Sequence, residues 1–178
     1  MKTYPVLAAL LALPLLAVPA LAQSSQFALC VGGRYHNESS ALVDEGIAYP
    51  FEEGDFSASL GVELRDAKAY WQFLVDAGRD LGTGTNAVDS VYTPQLNLLF
   101  RDGVYEGGVG VLKTYLDTEG DASGWSDLYY QFLLGLQFSL TSRVSLSIDA
   151  IYPFADWGAI GDFDTGDLEY GARLAIVF

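Results

Sequence analysis

The chain has one histidine, and any acid–base chemistry near neutral pH starts there. His36 lies in Tyr35-His36-Asn37-Glu38-Ser39-Ser40, so a base, an acid and a hydroxyl sit within a few residues. Nucleophilic catalysis needs the base within hydrogen-bond reach of the hydroxyl and a third group orienting the base. His36, Ser39 and Glu38 supply the residue types as candidates. Their spacing, with the serine three residues on in a loop, does not place them on one strand face.

Two acidic runs offer oxygen ligands for a hard cation, Asp117-x-Glu119-x-Asp121 and Asp162-x-Asp164-x-x-Asp167. Neither completes a twelve-residue calcium loop, so a solvated acidic surface is the preferred reading and loose association with divalent cations the next. A single Cys and a single His exclude the usual zinc sites. Cys30 reads as a buried thiol that packs like a small hydrophobe. No cofactor is expected.

Composition narrows the classes further. The chain has 178 residues, 51% of them hydrophobic, 13% aromatic and 18% charged, with 19 Gly. That is too apolar for disorder and the right length for one domain. A formal charge of −14 opposes nucleic acid, whose phosphates demand a basic face. Residues 1–22 read as a secretory leader: Lys2 is the charged start, Val6 to Val18 the apolar core, and Ala20-Leu21-Ala22 the small-x-small cleavage site. Residues 23–178 then form an exported domain with no run of about 20 apolar residues.

The elements that must position these groups are strands, because the period is two rather than 3.6. In the last segment Leu168, Tyr170, Ala172, Leu174, Ile176 and Phe178 fall on one side. Glu169, Gly171, Arg173 and Ala175 fall on the other. Eight such segments occur, at 26–36, 55–65, 68–78, 91–101, 103–115, 127–140, 143–152 and 167–178. Each is longer than the roughly 5–6 residues of a soluble strand and suits the roughly 9–11 of a tilted membrane-crossing strand. Short turns near Asp66-Ala67, Asp102-Gly103 and Thr141-Ser142 alternate with long polar connections near 37–54, 79–90, 116–126 and 153–166. Asp-Gly is a tight-hairpin signal, and alternating short and long connections mark an outer-membrane barrel.

The two faces set the solvent. One carries large apolar residues that an eight-stranded interior, just wide enough to be filled by side chains, could not hold. The other is small or polar, with Gly32, Gly61, Gly108, Gly110, Gly135 and Gly171 beside Gln72, Gln95, Asn97, Gln131 and Gln137. It also carries Arg34, Arg101 and Arg173 against Glu63, Asp76, Glu106, Asp149 and Glu169. The expectation is an inverted barrel: apolar outside, with a packed ionic network inside that avoids desolvation cost by pairing. Closure makes the first and last strands neighbours, which puts Arg34 and Arg173 among the inward carboxylates. Aromatics cluster toward both strand ends, as interfacial girdles do. Most of the 23 acids fall in the long connections, while Arg65, Lys68, Arg101 and Arg143 mark the short turns.

On these features the chain resembles the small eight-stranded outer-membrane proteins of Gram-negative bacteria, of the OmpA-barrel and OmpX type. The most specific piece is the terminal strand, where Phe178, Ile176 and Leu174 alternate and Tyr170 lies eight residues upstream. The resemblance implies that these four residues form the signal read by the barrel-assembly machinery. Lipid A remodelling enzymes share this size, but their patterns are not matched. The deacylase type places His and Ser two apart on one strand face, and the palmitoyltransferase type adds an N-terminal helix.

One internal echo stands apart. Tyr49-Pro50-Phe51 before Gly54-Asp55-Phe56 repeats as Tyr152-Pro153-Phe154 before Gly161-Asp162-Phe163. Proline lacks a ladder donor, so both copies are expected to trim a strand at the outer rim, and together they could form an aromatic docking patch.

The reading is therefore an all-β, eight-stranded antiparallel transmembrane barrel of the outer membrane, monomeric, with a structural or surface-interaction role. Its partners would be outer-membrane lipid and lipopolysaccharide, through divalent cations, and the assembly machinery. The alternatives are a lipid-modifying rim enzyme, a narrow channel and a soluble exported ligand-binding barrel.

Overall fold

The computed structural model describes residues 26–178, apart from 38, 40, 41, 43, 44, 67, 82–87, 119–122, 159, 161 and 162; for 80 and 81 it describes the backbone alone. The expected leader, Glu38, Glu119, Asp121 and Asp162 lie outside the described residues.

Alternating sequences pair as alternating strands. The segments are β1 (Gln26–Tyr35), β2 (Phe56–Arg65), β3 (Ala69–Leu81), β4 (Val88–Asp102) and β5 (Tyr105–Leu112), then β6 (Tyr115–Asp117), β7 (Gly124–Trp125), β8 (Tyr129–Ser139), β9 (Val144–Phe154) and β10 (Glu169–Val177). All pairings are antiparallel. They run β1-β2-β3-β4-β5-β8-β9-β10 and return to β1, with Ala28 opposite Val177 and Tyr35 opposite Tyr170. β6 resumes β5 beyond Lys113-Thr114, and β7 leads into β8, so eight staves close into a ring and leave no open edge.

The short turns are tight where expected. Gly103 has φ +64° at the first of the two residues between Asp102 and Tyr105, a conformation that glycine adopts without strain.

The stave boundaries differ from the sequence expectation on one side of the ring. β3 and β4 climb past the expected loop at 79–90, with Leu81 paired to Val88. The physical reason is that the exposed backbone of β4 finds a partner: Ser90, Val91 and Tyr92 pair with Asp117, Leu116 and Tyr115 of β6, which in turn pairs with β7. Backbone groups at a rim continue the ladder wherever a neighbour can satisfy them.

Burial follows parity along most of the ring; Tyr152 and Phe154 of β9 have outward parity but are buried. On β8, Gln131 is fully buried while Leu134 is 70% exposed. On β2, Ser57, Ser59 and Glu63 are buried while Phe56 and Leu60 are exposed. The glycines on the inward face make room for polar side chains, since a Cβ at Gly110 would collide with Asn97 Oδ1 and one at Gly135 with Asp149 Oδ1.

The two Tyr-Pro-Phe copies behave differently from the expectation. Pro50 lies outside any strand, and Phe51 is buried against His36. Pro153 lies within β9, where it pairs with Gln131. Its flanking Tyr152 and Phe154 join an aromatic group with Tyr130, Phe132 and Trp157. One copy folds inward and the other lines the wall, so they do not form a shared patch.

Candidate functional site

The inward face assembles into one hydrogen-bonded column of polar groups with an ionic cluster at each end. Near the long connections, Arg34 of β1 donates through Nε to Glu169 of β10 and through Nη1 to Gln131 Oε1 at 3.0 Å. Asp76 of β3 lies 3.7 Å from Arg34 Nη1. Glu169 also accepts from the Tyr49 hydroxyl and lies 3.1 Å from His36 Nδ1. Burial first, and then the Glu169 charge, raise the Tyr49 phenol well above its ordinary pKa, so it stays a neutral donor. His36, Tyr49 and Phe51 thus enter the barrel mouth and are tied there.

Near the short turns, Arg173 of β10 reaches three carboxylates: Asp149 at 2.7 Å, Glu106 at 3.1 Å and Glu63 at 3.4 Å. Arg65 Nε donates to Glu63 at 2.5 Å and its Nη2 to Ser145 Oγ at 3.2 Å. Tyr70 donates to Glu106 at 2.5 Å. Arg101 donates to Gln137 Oε1 at 2.5 Å.

Amides join the two clusters. Gln95 donates to Asp76 at 2.7 Å, and Gln131 donates at 2.7 Å to both Gln95 and Asn97. Asn97 donates to Gln72 at 3.0 Å, and Gln72 to Glu63 at 2.7 Å. An Asn or Gln side chain both donates and accepts, so such a chain crosses the interior without a gap in hydrogen bonding. A cavity of only about 20 Å³ remains between Arg34, Asp76, Asp149 and Arg173. A wider vestibule of about 400 Å³ opens at the short-turn mouth, lined by Arg65, Arg101 and Arg143.

Several of these residues escape sequence reasoning. Arg65 is assigned to the short turns by sequence, yet it is buried and inward; its parity with Glu63 is the signal that identifies it. Tyr70 shares that parity. Tyr49 and Phe51 belong to a connection, where no period assigns a face.

The candidate catalytic residues are placed apart. Ser39 is fully buried and its hydroxyl lies 3.4 Å from the Pro153 carbonyl, so it does not meet His36. Instead His36 Nε2 lies 2.8 Å from Ser57 Oγ, which gives an acid–imidazole–hydroxyl series, Glu169–His36–Ser57. A nucleophile must meet its substrate, and here Ser57 is fully buried while Phe51 stacks on the imidazole at 3.6 Å. In this form the series tethers strands β1, β2 and β10.

Of the acidic candidates for a cation, Asp117 accepts from Ser123 at 3.3 Å. Asp164 caps a short 3₁₀ turn, Thr165–Asp167, through Gly166 N at 2.8 Å. Asp167 is buried. Among the described residues no three potential ligands converge on one point. The terminal-strand residues Tyr170, Leu174, Ile176 and Phe178 all face outward and are exposed.

No protein-family model matches the chain, and no curated protein matches it significantly in sequence. Solved structures do match in fold. Neisserial surface protein A aligns with TM-score 0.53 at 12% identity over 86% of this chain and 97% of that one. Ail, the attachment invasion locus protein of Yersinia pestis, in complex with the heparin analogue sucrose octasulfate, aligns with TM-score 0.50 at 12% identity over 88% of this chain and 100% of that one. The N-terminal β-barrel domain of Pseudomonas aeruginosa OprF aligns with TM-score 0.50 at 11% identity over 88% and 98%. In fold, this chain is a closed eight-stranded antiparallel barrel of the small outer-membrane type.

Proposed function

We propose that the chain is exported by its leader and assembled into the Gram-negative outer membrane. There it serves as a monomeric structural or surface-interaction barrel with its long acidic connections outside. The observation that carries this reading is the inverted distribution of side chains. Large apolar residues such as Leu134, Phe100 and Ile148 are half exposed or more, while Glu63, Gln72 and Glu169 are fully buried. In water that arrangement sacrifices hydrophobic burial at about 25 cal/mol per Å²; against hydrocarbon it costs nothing. The aromatics near both stave ends support two interfacial girdles.

Tyr170, Leu174, Ile176 and Phe178 are the proposed assembly signal. Arg34, Arg173 and their carboxylates are the proposed internal network, which holds the wall closed and leaves no conducting path. The exposed Glu45, Glu52, Glu53, Asp89 and Asp127 repel a sulfated polyanion such as the one bound in the Ail structure. They favour contact with anionic lipopolysaccharide through divalent cations. The burial of Ser57 supports a non-enzymatic role, and lipid A from cells carrying His36→Ala is expected to have unchanged mass.

The test is extraction and gel migration. An integral barrel needs detergent for extraction and migrates differently before and after boiling. A protein that purifies without detergent and shows no heat-dependent shift would overturn the reading.

A further inference from the structure

The outer wall is concave beside β9. β8 and β9 pair with Phe132 opposite Tyr152 and Leu134 opposite Ala150, so a small outward side chain lies between larger ones. On its other flank Ala150 pairs with Tyr170 of β10. Beyond Phe154 the rings of Trp157 and Phe163 lie back against the outside of the barrel. Trp157 packs on Phe132 and Phe154 with centroids at 5.8 and 5.4 Å, and Phe163 packs edge-on against Tyr152 at 4.9 Å. The result is a groove of about 300 Å³ with Ala150 as its floor, Phe132, Leu134 and Tyr152 as the strand wall, and Ile160 and Phe163 as the outer lip.

We propose that this groove holds one acyl chain of a lipid in the leaflet at the long-connection end. The proposal rests on the membrane reading given above and names a specific lipid contact within it. Three observations select this occupant. The lining is apolar but for the Tyr152 hydroxyl, so the ligand brings no polar group to that depth. The groove is continuous with the exposed band of Leu134, Leu136 and Ile148, where the proposed surroundings are hydrocarbon. It also runs from Tyr152 and Phe163, toward the long-connection end, down to Leu134, as a chain hanging from a headgroup at the interface would. On β1 and β2 the outward Leu29 and Leu60 are exposed and serve as the open comparison, where lipid exchanges freely.

The experiment uses the full barrel in phosphatidylcholine vesicles containing a trace of phosphatidylcholine with a diazirine on one acyl chain. After photolysis, labelled residues are mapped by mass spectrometry. Several-fold greater labelling of the Phe132–Ala150–Phe163 region than of Leu29 and Leu60 is expected. Ala150→Trp fills the floor and should reduce that labelling to the level of the other staves, with heat-dependent migration retained. If that variant does not fold, Phe163→Ser, which removes the lip, carries the same expectation.

Equal labelling around the ring, or labelling that neither variant reduces, would overturn the groove while leaving the membrane reading intact. Groove labelling that falls as the protein-to-lipid ratio is raised, while Leu29 and Leu60 keep theirs, would overturn it in favour of contact with a second copy. Absence of label from every stave would overturn the membrane reading and the groove with it.

Discussion

Tyr49-Pro50-Phe51 and Tyr152-Pro153-Phe154 have the same three residues and opposite surroundings. In the first copy the tyrosine hydroxyl donates to Glu169 and the phenylalanine covers His36. In the second, both rings flank an inward proline and pack with Phe132, Trp157 and Phe163 on the outside of the wall. The tripeptide does not decide the outcome. The first copy lies in a connection whose Tyr49 reaches the buried Glu169 carboxylate, and the second is held in the parity of β9. Inside the barrel, position follows from hydrogen-bond partners that must be matched one by one. Outside, it follows from apolar contact, which is non-directional and more forgiving.

Substitutions that break this contrast should differ in size. The largest effect is expected inside. Arg173→Ala leaves Glu63, Glu106 and Asp149 without their shared cation, and removing one partner of a buried ionic group costs about 3–5 kcal/mol. Urea titration read by heat-dependent migration should show that loss. On the outer wall an apolar exchange such as Leu134→Ile should be nearly silent, whereas Leu134→Arg should cost about 2–4 kcal/mol if the site lies at the bilayer centre. Folding into vesicles under urea measures both.

Smaller differences separate the two tripeptides themselves. Tyr49→Phe removes one donor from Glu169, which keeps Arg34 and His36, so the loss should be about 1–2 kcal/mol. Trp157→Leu, at a residue 56% exposed, should stay within about 0.5 kcal/mol.

A further difference is expected in pH dependence. Burial raises the folded pKa of Tyr49, whereas an unfolded phenol titrates near 10. The stability contributed by the neutral phenol is therefore fully present below about pH 10 and is lost as pH rises above it. Urea midpoints between about pH 9 and 11 should fall less steeply in Tyr49→Phe than in the parent.

Most of the wall was legible in the sequence because a strand has only two faces, and Leu134 and Gln131 announce theirs by parity alone. The pairing of β1 with β10 was expected from closure of the barrel, and the places of Arg34 and Arg173 were expected from that pairing in turn. The sequence was silent where no period operates. Nothing in 37–55 marks Tyr49 as an inward residue, because its partner Glu169 is remote in sequence. Ser57 took the place of Ser39 beside His36 for the same reason: contact across β1 and β2 depends on register, not on proximity in the chain. Arg65 stands beside a short turn as read from its position, at the end of β2, and its parity with Glu63 adds the inward orientation that position alone does not show. The extension of β3 and β4 was hidden because the partner that prolongs β4 is the short β6, too brief to show a pattern.

The central claim is that the outward parity of each stave meets hydrocarbon. Single spin labels along residues 132–138 of β8, introduced in a Cys30→Ala background in lipid vesicles, test it most directly by collision with oxygen and with a water-soluble nickel complex. The account predicts a period of two, with oxygen contact greatest at 132, 134, 136 and 138 and nickel contact lowest there. Maximal oxygen contact at 131, 133, 135 and 137, or nickel contact without alternation, would contradict it.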